Sequence, residues 1–207
     1  MNDRRLELFR SLQALARTGQ HFCRDEYDRE RYEQVEHIAA ELLAGGASVS
    51  PAELRQEWAL EQGYVTPKLE VRGAVFRPDD GKVLLVRETV DGLWTLPGGW
   101  VEVNDSPSGA IRREVEQESG FHVRVTKLAA LYDRNAHGHT PSLFHSWKAF
   151  FLCVIEGGEL RGSHETDAVD FFDPHALPPL SIARTTSQQI LRMRQHWLDP
   201  EMPTDFD

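Results

Sequence analysis

The chain reads as an α+β protein, a mixed β-sheet carrying helices on its faces and preceded by a small all-helical N-terminal domain. Three observations predict it. Over about the first sixty residues apolar side chains recur at helical spacing, from Lys68 onward the spacing turns strand-like, and one charged segment, Ser106 to Ser119, restores the helical period between strands.

The N-terminal helices come first. Leu8, Leu12 and Leu15 follow i, i+4, i+7, and after a break expected around Thr18-Gly19-Gln20 the pattern returns in Tyr32, Val35, Ala39 and Leu42. A third helix is announced by Ser50-Pro51-Ala52-Glu53: Ser50 caps, Pro51 suits the first helical position, Glu53 completes a capping box, and Gly63 is expected to end the helix. Short helices bury little alone, so this unit, residues 1–63, should pack on the following domain or on a second copy of the chain. The second domain, residues 68–207, opens on Lys68–Pro78 and Lys82–Glu88, which flank Asp79-Asp80-Gly81 and read as a β-hairpin. In the charged helix Ser106 is the expected N-cap, Pro107 the first helical residue and Gly120 the left-handed residue that stops it. Strands are expected at Phe121–Asp133, Leu143–Ile155 and Ala168–Phe172. A last helix, about Thr185 to Leu198, sets Ile190, Met193 and Trp197 on one face.

With 207 residues, 40% of them hydrophobic, the chain can bury one full core and a small second unit. A formal net charge of -10 with no basic stripe argues against a nucleic-acid partner, although an acidic protein can handle phosphates through metal ions. Cys23 and Cys153 stand far apart without a CxxC neighbour, which suggests neither a disulfide framework nor a zinc knuckle and suits a reducing cytoplasm. The start, MNDRRLELFRSLQ, lacks the apolar core of a secretion signal, and the longest apolar run, Ala149–Ile155, is far short of the roughly 20 residues that span a bilayer. No membrane segment is expected.

The charged helix carries the chemistry. Residues three and four apart share a helix face, which groups Glu114, Gln117 and Glu118 and sends Glu116 elsewhere. Two carboxylates so placed repel each other unless a cation lies over them, and hard oxygens of this kind suit Mg²⁺ or Mn²⁺. Gly98-Gly99 allows the backbone to approach a ligand closely, so a carbonyl there can join such a shell, and Arg113 can hold a carboxylate in place. On spacing alone the alternative is a solvated helix held by pairs such as Arg112 with Glu116 and Arg113 with Gln117.

The whole stretch resembles the signature of the Nudix hydrolases: Gly, five residues, Glu, seven residues, then Arg-Glu-aliphatic-any-Glu-Glu-any-Gly-aliphatic. Here Gly99 opens the pattern, WVEVN fills the first spacer, Asp105 stands where Glu is expected, SPSGAIR fills the second, and REVEQESGF supplies Arg113, Glu114, Val115, Gln117, Glu118, Gly120 and Phe121. Asp105 keeps an acid within reach of Arg113. Gln117 exchanges an anionic ligand for a neutral one. The resemblance implies a Nudix-type α/β/α sandwich and a pyrophosphohydrolase in which Mg²⁺ or Mn²⁺ bridges a diphosphate while water attacks phosphorus. Carried over by position, Glu114 and Glu118 are metal ligands, with Gln117 and the Gly99 carbonyl as weaker candidates; Glu118 and Arg113 act in catalysis, and Arg113 with Asp105 forms an orienting pair. An additional acid from a loop after the main sheet is implied, for which Glu165 is the first candidate and Asp167 the second; Glu102 is a spare carboxylate nearby.

Outside the signature, Leu12–Leu43 resembles the helical N-terminal domain of a bacterial Nudix subgroup associated with CDP-choline and ADP-ribose hydrolysis, in which those helices help form a homodimer, and Phe171–Ser181 resembles its C-terminal segment. ADP-ribose hydrolases of the family often carry a proline past the signature. Here the first proline after Phe121 is Pro141 and His137 lies near the expected place, which tilts the expectation towards a CDP-alcohol such as CDP-choline. Tyr132–Lys148 is expected to line the substrate side, Asp133 and Arg134 meeting a polar head group and His137 or His139 a phosphate; a mobile polar loop is the plainer alternative. Trp100 and Trp94 flank the glycine turn and can stack on a base or pack in the core. Two rival functions stay open: a nucleotide-binding sensor that has lost turnover, motivated by Gln117, and a 3′ exoribonuclease, against which the net charge speaks.

Overall fold

A computed structural model describes residues 3–45, 50–60 and 63–207. The chain divides into two compact units, residues 1–67 with 141–145, and residues 68–140 with 146–207.

In the first unit, α1 (Asp3–Phe22), α2 (Glu26–Ala44) and α3 (Pro51–Ala59) pack around Leu6, Phe9, Ala39, Ala40, Leu43, Leu54 and Trp58, and Leu143 from the second segment joins them. The expected break at Gly19 does not occur. α1 runs through it, because the Tyr32 ring lies where a side chain at position 19 would stand, so the glycine serves close helix packing. The chain turns at 23–25 instead, where the Asp25 carboxylate accepts the Asp28 amide at 3.0 Å. At α3 the capping box forms as expected, Ser50 accepting from the Glu53 amide while Glu53 accepts from the Ser50 amide. The leucine stripe is not the core face: Leu6, Phe9 and Ala16 are buried, whereas Leu8 and Leu15 are exposed, as are Ile38 and Leu42 on α2.

The second unit holds two sheets. One has the order β1-β5-β4-β7, from β1 (Lys68–Val75), β5 (Ser146–Gly158), β4 (Phe121–Asp133) and β7 (Asp205–Phe206); β1 and β5 run parallel, β4 and β5 antiparallel. The other has the order β3-β2-β6, from β3 (Trp94–Thr95), β2 (Val83–Glu88) and β6 (Thr166–Phe172). The expected hairpin exists only at its tip. The Arg77 amide donates to the Lys82 carbonyl at 2.8 Å, and the strands then part into different sheets, since β1 is buried along Val71–Val75 and takes β5 as its partner. The other edge of β1 is finished by the glycine turn: the Val71 amide donates to the Gly99 carbonyl and the Gly73 amide to the Pro97 carbonyl, each at 2.9 Å.

Helix α4 (Pro107–Ser119) is capped by Ser106 and stopped by Gly120 at φ 79°. It lays Ile111 and Val115 on β1 at Gly73, where an added Cβ would lie 2.9 Å from Val115 Cγ2 and 3.1 Å from Ile111 Cδ1. Gly73→Val should therefore destabilise the unit by roughly 1–3 kcal/mol through overpacking, read as a lower urea midpoint; an unchanged midpoint would show that α4 can shift outward. Helix α5 (Ser187–Leu198), with a Thr186–Gln189 capping box, buries Ile190 and Met193 against the second core cluster.

Candidate active site

Helix α4 buries two acids on the face that carries Ile111 and Val115. Glu118 is 5% exposed and Glu114 is buried too, while Gln117 and Glu116 face solvent. A solvated surface helix does not look like this. The Gly98 amide donates to Glu118 Oε2 at 2.9 Å, and the Glu114 carboxylate lies against Gly99 so closely that a Cβ there would stand 3.0 Å from its Oε2. Arg113 donates through Nη1 to Glu114 Oε1 at 2.8 Å and through Nη2 to Asp105 Oδ2 at 2.9 Å, so the shorter acid at 105 still reaches its arginine. The expected Arg113–Gln117 contact is long, at 3.4 Å.

Beneath these acids lies a layer of buried charge that sequence reasoning missed. Arg72 is bound to Glu70 through Nε and Nη2, the Nε contact at 2.8 Å, and its Nη1 donates to the Leu96 carbonyl at 2.9 Å. Lys148, fully buried, donates to Glu70 Oε2 at 2.6 Å and to the Arg184 carbonyl at 2.8 Å. Arg184 in turn pairs with Glu88 at 3.1 Å and Asp91 at 3.0 Å. The available signal was charge in the wrong place: Arg72 and Lys148 interrupt otherwise apolar strand runs, where an ionised side chain is retained only if paired.

Burial pushes the Glu118 carboxyl up to about 8, with the Arg72 guanidinium and the Gly98 amide opposing and Glu114 and Glu88 adding repulsion. Burial also raises Glu114 and Glu88, against Arg113 and Arg184 respectively. Glu70 goes the other way: Arg72 and Lys148 outweigh its burial and hold it below its ordinary range. Burial, then Arg72, pull the Lys148 amine down to about 7.

The other expected site residues scatter. Glu165 sits exposed on the turn before β6, where its carbonyl accepts the Thr89 amide at 2.9 Å and its charge reaches both Glu114 and Glu88. Asp167 is drawn away by Arg87, at 2.7 Å. Trp100 is half exposed beside Glu70, with which it forms an isolated bridge, whereas Trp94 packs edge-on to Phe172. Arg134 is buried and donates to the Ala183 carbonyl at 3.3 Å. His139 is fixed between the Ile182 carbonyl at 2.7 Å and the Gln189 amide at 2.9 Å; burial drives it down to about 4, which keeps its ring neutral. Asp133 and His137 lie at another place, bound to Asp207, the His137 ring also stacking on Tyr132 at 3.9 Å. The loop at 133–139 is thus held by named contacts.

The profile of the NUDIX domain matches residues 67–193. The chain belongs to the Nudix family. A second profile, the UDP-X-like, N-terminal oligomerisation domain, matches residues 3–57. A Bacillus subtilis Nudix relative named putative ADP-ribose pyrophosphatase YjhB is 38% identical over 98% of this chain and 96% of its own length. The ADP-ribose pyrophosphatase of Methanocaldococcus jannaschii is 31% identical over 65% of this chain and 76% of its own. Among solved structures, an ADP-ribose pyrophosphatase from Streptococcus suis superposes with a TM-score of 0.62 at 38% identity, covering 69% of this chain and 100% of that one. A UDP-X diphosphatase superposes with a TM-score of 0.63 at 30% identity, covering 100% of both chains.

Nudix hydrolases act with a divalent metal, and the donors here fit one. Among the described residues no group of three or more His, Cys, Asp or Glu side chains stands ready to hold an ion. Glu114 and Glu118 offer buried, hard oxygens, which suits a cation that completes its shell with water and substrate phosphate. The Gly99 oxygen spends one lone pair on the Val71 amide and keeps the other. Among the described residues no helix is long and apolar enough to cross a membrane.

Proposed function

We propose that this chain is a Mg²⁺- or Mn²⁺-dependent pyrophosphohydrolase that splits a nucleoside diphosphate linked to another group, with ADP-ribose the first substrate to test and CDP-choline the second. The observation that carries it is the burial of Glu114 and Glu118 together against Gly98-Gly99, a cost that makes sense for a site neutralised from outside by a cation. The names of the relatives support ADP-ribose as the first, while CDP-choline rests on the sequence resemblance alone. When bound, the metal neutralises and orients the diphosphate and lowers the pKa of water.

The chain's own residues do the rest. Arg113, held by Asp105, fixes one oxygen of Glu114, and the Gly98 amide fixes one oxygen of Glu118. Attack by water on phosphorus breaks one P–O bond of the bridge, leaves the bridging oxygen on the departing phosphate, and frees a proton. Glu165, exposed and electrically coupled to Glu114, is the group we assign to take up that proton. Trp100 offers an exposed ring beside the site for a base, and Arg134 and His139 are electrically coupled to Lys148 of this site. Gln117, facing solvent, is at most a minor contributor to the metal shell. The exposed apolar residues of α1 and α2, with the match to an oligomerisation domain, support a homodimer.

The test is a hydrolysis screen with ADP-ribose, CDP-choline and a short RNA at millimolar Mg²⁺ or Mn²⁺. We expect turnover of ADP-ribose, none of RNA, and a change of less than about threefold in kcat for Gln117→Glu, whose side chain lies outside the buried pair. Binding without turnover, restored by Gln117→Glu, would replace this reading with a sensor.

A further inference from the structure

The buried acids of the site differ in what neutralises them. Glu70 has Arg72 and Lys148, Glu88 has Arg184, and Glu114 has Arg113. Among the described residues Glu118 has no direct cation partner, only the Gly98 amide. Yet a buried guanidinium lies close enough to feel it: Arg72 is electrically coupled to Glu118 and to Glu88, while its hydrogen bonds run to Glu70 and the Leu96 carbonyl.

The arrangement is one of restraint. A guanidinium is planar, permanently charged and best satisfied by a carboxylate that faces two of its N–H groups. Glu70 supplies such a carboxylate from the same strand, with Arg72 Nε and Nη2 both on Oε1. The remaining oxygen, Oε2, is fixed by Lys148 from β5, which is anchored in turn to the Arg184 carbonyl. Freed from Glu70, Arg72 would be left with Glu118 and Glu88 as the anions whose charge it feels most.

We propose that Glu70, anchored by Lys148, is a positioning residue that holds Arg72 away from Glu118, so that the Glu118 carboxylate stays open to an external cation. The proposal rests on the reading of Glu118 as a metal ligand. It predicts that an internal cation competes with the metal once the anchor is lost. The harm done by losing Glu70 is transmitted through Arg72.

The test is Mn²⁺ binding, followed by the signal of free Mn²⁺ in electron paramagnetic resonance, on wild type, Glu70→Gln, Arg72→Gln and the double variant. We expect Glu70→Gln to weaken Mn²⁺ binding about tenfold or more, Arg72→Gln to change it less than about threefold, and the double variant to recover most of the loss, a strong non-additivity between groups in contact. Loss of a distant negative charge alone would act additively, with Arg72→Gln strengthening binding by the same factor in both backgrounds. That result, or an unaffected Glu70→Gln, overturns the proposal. Wild type that binds no Mn²⁺ overturns the metal site itself. Thermal unfolding checks that each variant folds. Should Glu70→Gln fail to, Lys148→Met, which removes the anchor from the other side, must weaken Mn²⁺ binding and be rescued by Arg72→Gln.

Discussion

Glu118→Gln should lower kcat by roughly a hundred- to a thousandfold, the scale on which losing a group that supports transition-state charge is felt, and should make the metal-free protein more heat-stable than the wild type at pH 8. The second effect follows from the first residue property of the site. Glu118 is buried with a carboxyl raised to about 8 from an ordinary value of 4.5. Below pH 4.5 both folded and unfolded chains hold this proton and the group is neutral in the balance. Between 4.5 and 8 the unfolded chain releases the proton while the folded chain keeps it, so stability falls as pH rises through this window and levels off above it. A glutamine has no such slope. The measurement is the Tm of both proteins at pH 5 and pH 8 in chelator, then with Mn²⁺. The wild type should lose more between the two pH values, and Mn²⁺ should raise its Tm and leave the variant nearly unchanged. Parallel pH slopes for the two proteins would mean that burial does not raise the Glu118 carboxyl.

Gly98→Ala and Gly99→Ala, one residue apart, should fail in opposite ways. Gly98 sits at φ 145°, and a Cβ there would overlap the Val71 carbonyl oxygen, with the Arg72 Cα at 3.0 Å behind it. These are backbone atoms of a buried strand and cannot step aside, so Gly98→Ala should cost more than about 3 kcal/mol and unfold the unit at modest urea. At Gly99 the first atoms met belong to the Glu114 carboxylate, at 3.0 to 3.4 Å, the far end of a side chain that can swing. Gly99→Ala should therefore stay folded, with a stability change within about 1 kcal/mol, and lose metal affinity and turnover as Glu114 turns away. Urea unfolding and Mn²⁺ binding on the pair separate the two failures; a folded, metal-binding Gly98→Ala would show that the turn is not locked to β1.

What the sequence discloses is uneven, for physical reasons. The bounds of α4, β4 and α5 follow from local chemistry, because Ser106, Gly120 and Thr186 act on their own neighbours. The signature spacing identifies Glu114 and Glu118 as a pair, since three and four residues are the repeat of a helix. Helical spacing alone leaves their burial undecided, as the same pattern suits a solvated face. The Glu70–Arg72–Lys148 cluster was illegible: Lys148 joins Glu70 only through the parallel register of β1 with β5, a pairing 78 positions apart. Gly19 misled for a related reason, its role being set by Tyr32 on another helix. Adjacency in the sequence groups Asp133 and His137 with Arg134 and His139, and a short 3₁₀ turn capped by Asp133 parts them.

That the glycine turn takes the place of a strand along β1 sets the evolutionary latitude of this enzyme. Pro97 and Gly99 are in register with Gly73 and Val71, so an insertion between them would slide the whole turn and carry Glu118's amide partner with it. The machinery that breaks the bond is built into the frame and must be inherited unaltered in length. By contrast, residues 134–139 pair with no strand and are fixed through side chains such as Arg134 and His139, so length and character can change there while the acid pair keeps its place.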